Sequence, residues 1–271
     1  ALAGTSSAQI EAWCTGGNIV FWMDMDREAA VLNEDSGNPA LAGEDVGEVI
    51  ARFPADGSST FTNSSASGLT VRPFNANTSG ITEQVGGSNE YAMDSTATNF
   101  TDPDTGSFII LWRSPYVLPA SEQIWESTAL LMTLKDGAIQ IRNDSGVYYS
   151  MASGVLAGTD YIIKVSWVRD DDPVPGPAPG YNTDYELDLI RLSDNVTVSG
   201  TQDDVPMYFD ESPLTTKQYG DGVPVPASGI DGYYGMTFMT TSETAVDTAL
   251  VAYIKQVYSG DATEAVTDPN G

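Results

Sequence analysis

The chain has 271 residues, a length that suits one large β domain, and 41% of them are hydrophobic, enough to build a core. It carries 38 Asp and Glu against 11 Lys and Arg, a net charge of −27, which repels nucleic acid and anionic membranes because those partners need cations to neutralise phosphate. There is no histidine and one cysteine, Cys14. That composition excludes Ser-His-Asp and Cys-His nucleophiles, His-ligated metal sites and an intrachain disulfide framework.

No apolar run approaches the roughly 18 residues of a membrane span, and no basic and apolar leader is visible in the sequence. The only lysines are Lys135, Lys164, Lys217 and Lys255. Such an acidic, lysine-poor surface stays hydrated in saline water and suits an extracellular setting. The Asn-x-Ser/Thr triplets at Asn63, Asn77, Asn99, Asn143 and Asn195 are read as incidental in a chain this rich in Ser and Thr.

In chain order, residues 1–12 contain a single charge, Glu11, and are expected to form an N-terminal arm. Asp26 to Leu32 is the one candidate helix. Phe108 to Trp112 is a short apolar run between Gly106 and Pro115, as a strand buried on both faces requires. Ala129 to Leu134 and Ala138 to Arg142 flank Lys135-Asp136-Gly137, and an Asp-Gly pair between strands predicts a hairpin. A second turn at Asp144-Ser145-Gly146 leads to a strand from Val147 to Met151. In Tyr161 to Val168, alternation sets Tyr161, Ile163, Val165 and Trp167 on one face, the core face. Asp170 to Gly180 is expected to be a Pro-rich inserted loop. Strands follow at Tyr185 to Leu192 and Val196 to Ser199, then a long loop from Gly200 to Asp231. Two closing strands are expected at Tyr233 to Thr240 and Ala249 to Tyr258, before a polar tail at 261–271. Many short strands and few helices predict an all-β antiparallel sandwich or barrel over residues 13–260.

Several segments together resemble the concanavalin A-like, laminin-G-like jelly roll of phage structural and bacterial surface proteins. Phe21-Trp22-Met23-Asp24-Met25-Asp26 with Asn33-Glu34-Asp35-Ser36-Gly37 is similar to the family's opening, followed by Val46 to Val49 and Arg72-Pro73. Ser107 to Ser114, Leu134 to Arg142, Ala157 to Trp167, Tyr185 to Gly200 and Ala249 to Tyr258 resemble its later strands. The resemblance implies an antiparallel two-sheet jelly-roll sandwich that often carries calcium.

Candidate sites follow from the residues. Asp170, Asp171 and Asp172 are the densest oxygen cluster and the candidate calcium ligands. Tyr148-Tyr149 and Tyr233-Tyr234 are adjacent pairs; each places one ring on each sheet face, so they are the candidate glycan-stacking residues. Glu186 and Asp188 share a strand face, as paired glycosidase carboxylates would, but Arg191 stands where the similar signature of laminarinase-type hydrolases has its second Glu. A lyase built on Tyr148, Tyr149, Arg142 and Lys164 has no specific spacing behind it.

These observations point to a non-catalytic virion protein: a phage capsid decoration, head-fibre or tail component. Its expected partners are other virion proteins, copies of itself or glycan, with no nucleic acid and no membrane insertion, at the virion surface or outside the cell. The alternative is a secreted calcium-dependent glycan-binding module or adhesin of a marine microbe, with a polysaccharide hydrolase or lyase as the residual reading.

Overall fold

The computed structural model describes residues 5–25, 31–33, 37–54, 60–63, 69–83, 93–95, 102–119, 121–143, 146–174, 180–207, 218–219 and 232–260. The chain opens with helix α1 (Ser7–Thr15), then strands β1 (Ile19–Met23), β2 (Val31–Asn33), β3 (Val46–Ile50) and β4 (Thr60–Asn63). Strands β5 (Leu69–Pro73), β6 (Ser79–Glu83), β7 (Met93–Ser95), β8 (Thr105–Arg113) and β9 (Ser121–Glu126) follow. Next come β10 (Leu131–Lys135), β11 (Ala138–Arg142), β12 (Tyr148–Ser153) and β13 (Asp160–Val174). The chain closes with β14 (Gly180–Arg191), β15 (Thr197–Met207), β16 (Gln218–Tyr219), β17 (Tyr233–Thr240) and helix α2 (Thr244–Ser259).

Two antiparallel sheets form. The first runs β15-β14-β13-β8-β17-β6-β5, with β1 also paired to β17; the second runs β12-β11-β10-β9-β16-β7-β4-β3-β2. Alternation explains how they pack. On β13, Tyr161, Ile163, Val165 and Trp167 enter the core between the sheets, as the sequence predicts. On β8, Phe108, Ile110 and Trp112 enter that core, while Ile109 and Leu111 enter a second one on the opposite face. The second core is roofed by Ile10 and Cys14 of α1 and by Val246, Leu250, Tyr253 and Ile254 of α2. Helices thus cover one side of the first sheet, which is why the Phe108–Trp112 run is apolar on both faces.

Several expectations are corrected. Ala249 to Tyr258 is not a strand but part of α2: Val246, Leu250, Tyr253 and Ile254 recur at helical spacing, and Gly260 ends the helix in the left-handed conformation (φ 77°). The strand beside β1 is β17. Near the N-terminus, α1 starts at an N-cap where the Ser6 hydroxyl accepts from the Gln9 amide at 3.2 Å. Val31–Asn33 is a strand, and the rest of the candidate helix at 26–32 lies outside the described residues. In the expected Pro-rich insertion, residues 170–174 and 180 belong to strands, with Pro173 opposite Tyr181 and Val174 opposite Gly180, and residues 175–179 lie outside the described residues. The loop expected from Gly200 starts as strand, because β15 continues to Met207.

At the edge, β15 crosses β12. A Cβ on Gly200 would lie 1.7 Å from the Met151 carbonyl oxygen, so only glycine permits this approach.

Candidate glycan-binding surface

Three neighbouring strands place Asp160, Arg113 and Tyr233 side by side. Arg113 of β8 is opposite Asp160 of β13 on one side and Tyr233 of β17 on the other. The guanidinium donates Nε and Nη2 to the two Asp160 carboxylate oxygens, a two-point contact, and Nη2 also donates to the Phe74 carbonyl at 2.6 Å. Tyr258, in the last turn of α2, donates its hydroxyl to Asp160 at 2.7 Å. Burial pulls the Arg113 pKa down, but the hydrogen bond and charge of Asp160 outweigh it and hold the group above its ordinary value. Burial first, then the hydrogen bond and charge of Asp160, push the Tyr258 phenol up to about 12. The charges are therefore spent within the network, which acts as a rigid base.

Aromatic rings stand on that base. Arg113 lies over the Tyr233 ring at 4.7 Å and the Phe74 ring at 5.4 Å. Tyr233 meets Tyr116 edge to face, with ring centroids 6.3 Å apart. Burial, then the neighbouring Tyr116, raises the Tyr233 phenol, while Arg113 lowers it. Tyr116 sits in the loop after β8 and is 66% exposed; Val117 beside it and Leu156 are exposed as well. The 154–159 turn supports this loop: the Ser114 hydroxyl donates to the Leu156 carbonyl, and the Gly158 amide donates to the Pro115 carbonyl at 2.9 Å. Gly158 (φ 59°) lies under the Tyr116 ring, where a Cβ would come within 2.7 Å of Cδ1. An exposed phenol ring on a fixed base, bordered by apolar side chains, can stack on the C–H face of a sugar and hydrogen-bond its hydroxyls.

Of the four predicted tyrosines, Tyr233 belongs to this cluster. Tyr234 does not: it is 0% exposed, and its hydroxyl donates to the buried Glu122 carboxylate at 2.6 Å, so its ring offers no open face. Tyr149 is half-buried and packs against the inter-sheet core. Tyr148 is half-buried on the outer face of the second sheet, with the Lys135 ammonium 3.5 Å from its ring centroid and the Arg142 guanidinium at 5.8 Å. Tyr116 was absent from the sequence reading. Its signal was Ser114-Pro115-Tyr116-Val117, where a Pro ends the buried strand and leaves two large apolar residues in a loop.

The Asp170-Asp171-Asp172 triplet lies in β13, where the pairing register is interrupted between Arg169 and Pro173, and not in a loop. Asp170 is exposed. Among the described residues, no three His, Cys, Asp or Glu side chains converge as metal ligands, and no helix is long and apolar enough to cross a membrane.

Glu186 and Asp188 share the outer face of β14, opposite Ser166 and Lys164 of β13. Glu186 is exposed, and Asp188 accepts from the Ser199 hydroxyl at 2.6 Å. Two residues along a strand, their backbone positions lie about 6.6 Å apart.

No family model and no curated protein matches the chain. Among the solved structures that resemble it are two phage tailspike structures. One is the full-length tailspike protein 2 from Escherichia coli O157:H7 bacteriophage CAB120, at TM-score 0.48 and 9% identity, covering 72% of this chain and 27% of that one. The other is the enzymatically active domain of bacteriophage CBA120 tailspike protein 2, at TM-score 0.38 and 10% identity, covering 72% of this chain and 30% of that one. The chain therefore spans less than a third of either neighbour. The second is named for its enzymatic activity, and the expectation of a non-catalytic chain is not kept.

Proposed function

We propose that the chain is a glycan-engaging module of a phage particle, associated with its tail, built on a concanavalin A-like sandwich. The observation that carries the glycan part is the exposed Tyr116 ring, held edge to face by Tyr233 on the Arg113–Asp160–Tyr258 base. Stacking needs an accessible ring that keeps its orientation before the sugar arrives, so that little freedom is lost on binding. The two-point contact to Asp160 and the close packing on Gly158 supply that fixity. The phage setting is supported by the resemblance of the opening motif and by the acidic surface, and the tailspike neighbours are of the same setting. Partner chains of the particle, or further copies of this one, belong to the same reading.

A second reading, glycan cleavage, is favoured by the shared outer face of Glu186 and Asp188. Two carboxylates on one exposed surface are what glycosidase chemistry requires, and this strand face presents such a pair.

A panel of bacterial surface polysaccharides, tested by affinity electrophoresis and for released reducing ends, separates the two. Retardation by at least one polysaccharide, lost in Tyr116→Ala, supports binding at the aromatic cluster. Retardation by none defeats the glycan reading. Released ends that disappear in Glu186→Gln support cleavage; their persistence in that variant removes Glu186 from the chemistry.

A further inference from the structure

We propose that Lys135, Arg142 and Tyr148, on the outer face of the second sheet, bind the carboxylate of an acidic saccharide. The choice of a saccharide as carrier rests on the glycan reading above; the carboxylate is read from the site itself. Arg142 is opposite Tyr148 across β11 and β12, and Lys135 is opposite Ala138 across β10 and β11. Alternation sets these three away from Leu134, Ile139 and Ile141, which enter the core. Their tips converge nonetheless, because both cations reach the same ring: the Lys135 ammonium at 3.5 Å and the Arg142 guanidinium at 5.8 Å.

The charge bookkeeping makes this convergence unusual. The chain has 38 acidic residues for 11 basic ones, and four of its seven arginines are held in ion pairs among the described residues. Arg52 holds Glu11 and Asp24, Arg113 holds Asp160, Arg169 holds Asp104 and Arg191 holds Asp194. Among the described residues, neither Lys135 nor Arg142 holds a carboxylate. Arg142 Nε is buried without a hydrogen-bond partner. Two like charges drawn to one ring repel each other until an anion sits between them. A planar carboxylate fits: the guanidinium amines offer a two-point contact and the ammonium a second charge, with the Tyr148 ring holding the two cations beside each other. Elsewhere on the surface, a net charge of −27 repels the same anion, so binding would be confined to this patch.

The test is calorimetric titration of the folded full chain with a uronic acid oligosaccharide, with its neutral methyl ester, and with inorganic sulfate. The acid form should bind at least about tenfold more tightly than the ester, the scale of one charge-assisted hydrogen bond. Lys135→Gln and Arg142→Gln, each checked for native circular dichroism, should both bring the acid form down to the ester's affinity. Equal affinity for acid and ester, sulfate binding as tight as the acid, or unchanged binding in both variants would overturn the proposal. If acid and ester bind alike and Tyr116→Ala removes both, the glycan reading stands and this site falls. If neither binds, this site falls, while the polysaccharide panel decides the glycan reading independently.

Discussion

The Tyr258 hydroxyl donates to the Asp160 carboxylate at 2.7 Å, joining the last turn of α2 to the first residue of β13. Because Arg113 grips the same carboxylate and also underlies Tyr233, the helix that roofs the first sheet also steadies the aromatic surface. Asn75 and Asn77 reinforce the junction, each donating its side-chain amide to the Tyr258 carbonyl, at 2.8 and 3.1 Å.

Tyr258→Phe should therefore cost about 1–2 kcal/mol, since it leaves a mostly buried carboxylate oxygen one donor short. Urea denaturation at neutral pH measures this. An unchanged midpoint would show that the hydrogen bond adds nothing.

Alkaline pH should weaken the fold over a defined window. Burial and Asp160 raise Tyr258 from 10.0 to about 12, and burial with the charge of Glu11 raises Cys14 from 9.0 to about 12. Both groups are neutral in the fold and ionise more easily when unfolded. Their contribution is thus intact below pH 9 and lost as the pH rises to about 12. Tyr258→Phe should flatten the part of this loss above pH 10. An identical pH profile in the variant would contradict the assignment.

Cys14 should resist alkylation in the native protein at pH 8, because it is buried and its thiolate is disfavoured. Its labelling rate should follow unfolding as denaturant is added. Rapid labelling without denaturant would mean that α1 does not cover it.

Gly200→Ala should destabilise by about 1–3 kcal/mol, the range for overpacking, since the new methyl would collide with the Met151 backbone where β15 crosses β12. A thermal midpoint equal to that of the unmodified chain would show that the two edges part without cost.

Some of this architecture was legible from local chemistry. β11 was readable because Asp136 and Gly137 form a turn that needs positive φ at both positions, 51° and 72° in the structure. β13 was readable because strict alternation in Tyr161–Trp167 sorts one core face. α2 was misread because its Val, Ile and Tyr residues favour strands locally, while the apolar face of the sheet beneath them selects the helix. The site was less legible still. Tyr233 was visible as part of an aromatic pair, but Tyr116 gains its meaning only from Tyr233 and Gly158, which the fold brings to it from distant parts of the chain. The Asp triplet misled because a run of carboxylates reads as a loop, whereas pairing with β14 resumes at Pro173 and continues the strand.

The most direct test of the account is the affinity of Tyr116→Ala for whichever polysaccharide the unmodified chain retains, measured by calorimetry beside a thermal melt. Tyr116 is mostly exposed, so the melt should move little, within about 0.5 kcal/mol. Affinity should fall about tenfold or more, as expected for loss of a stacking ring. Undiminished affinity with an unchanged melt would contradict the claim that glycan is held on the Tyr116–Tyr233 surface.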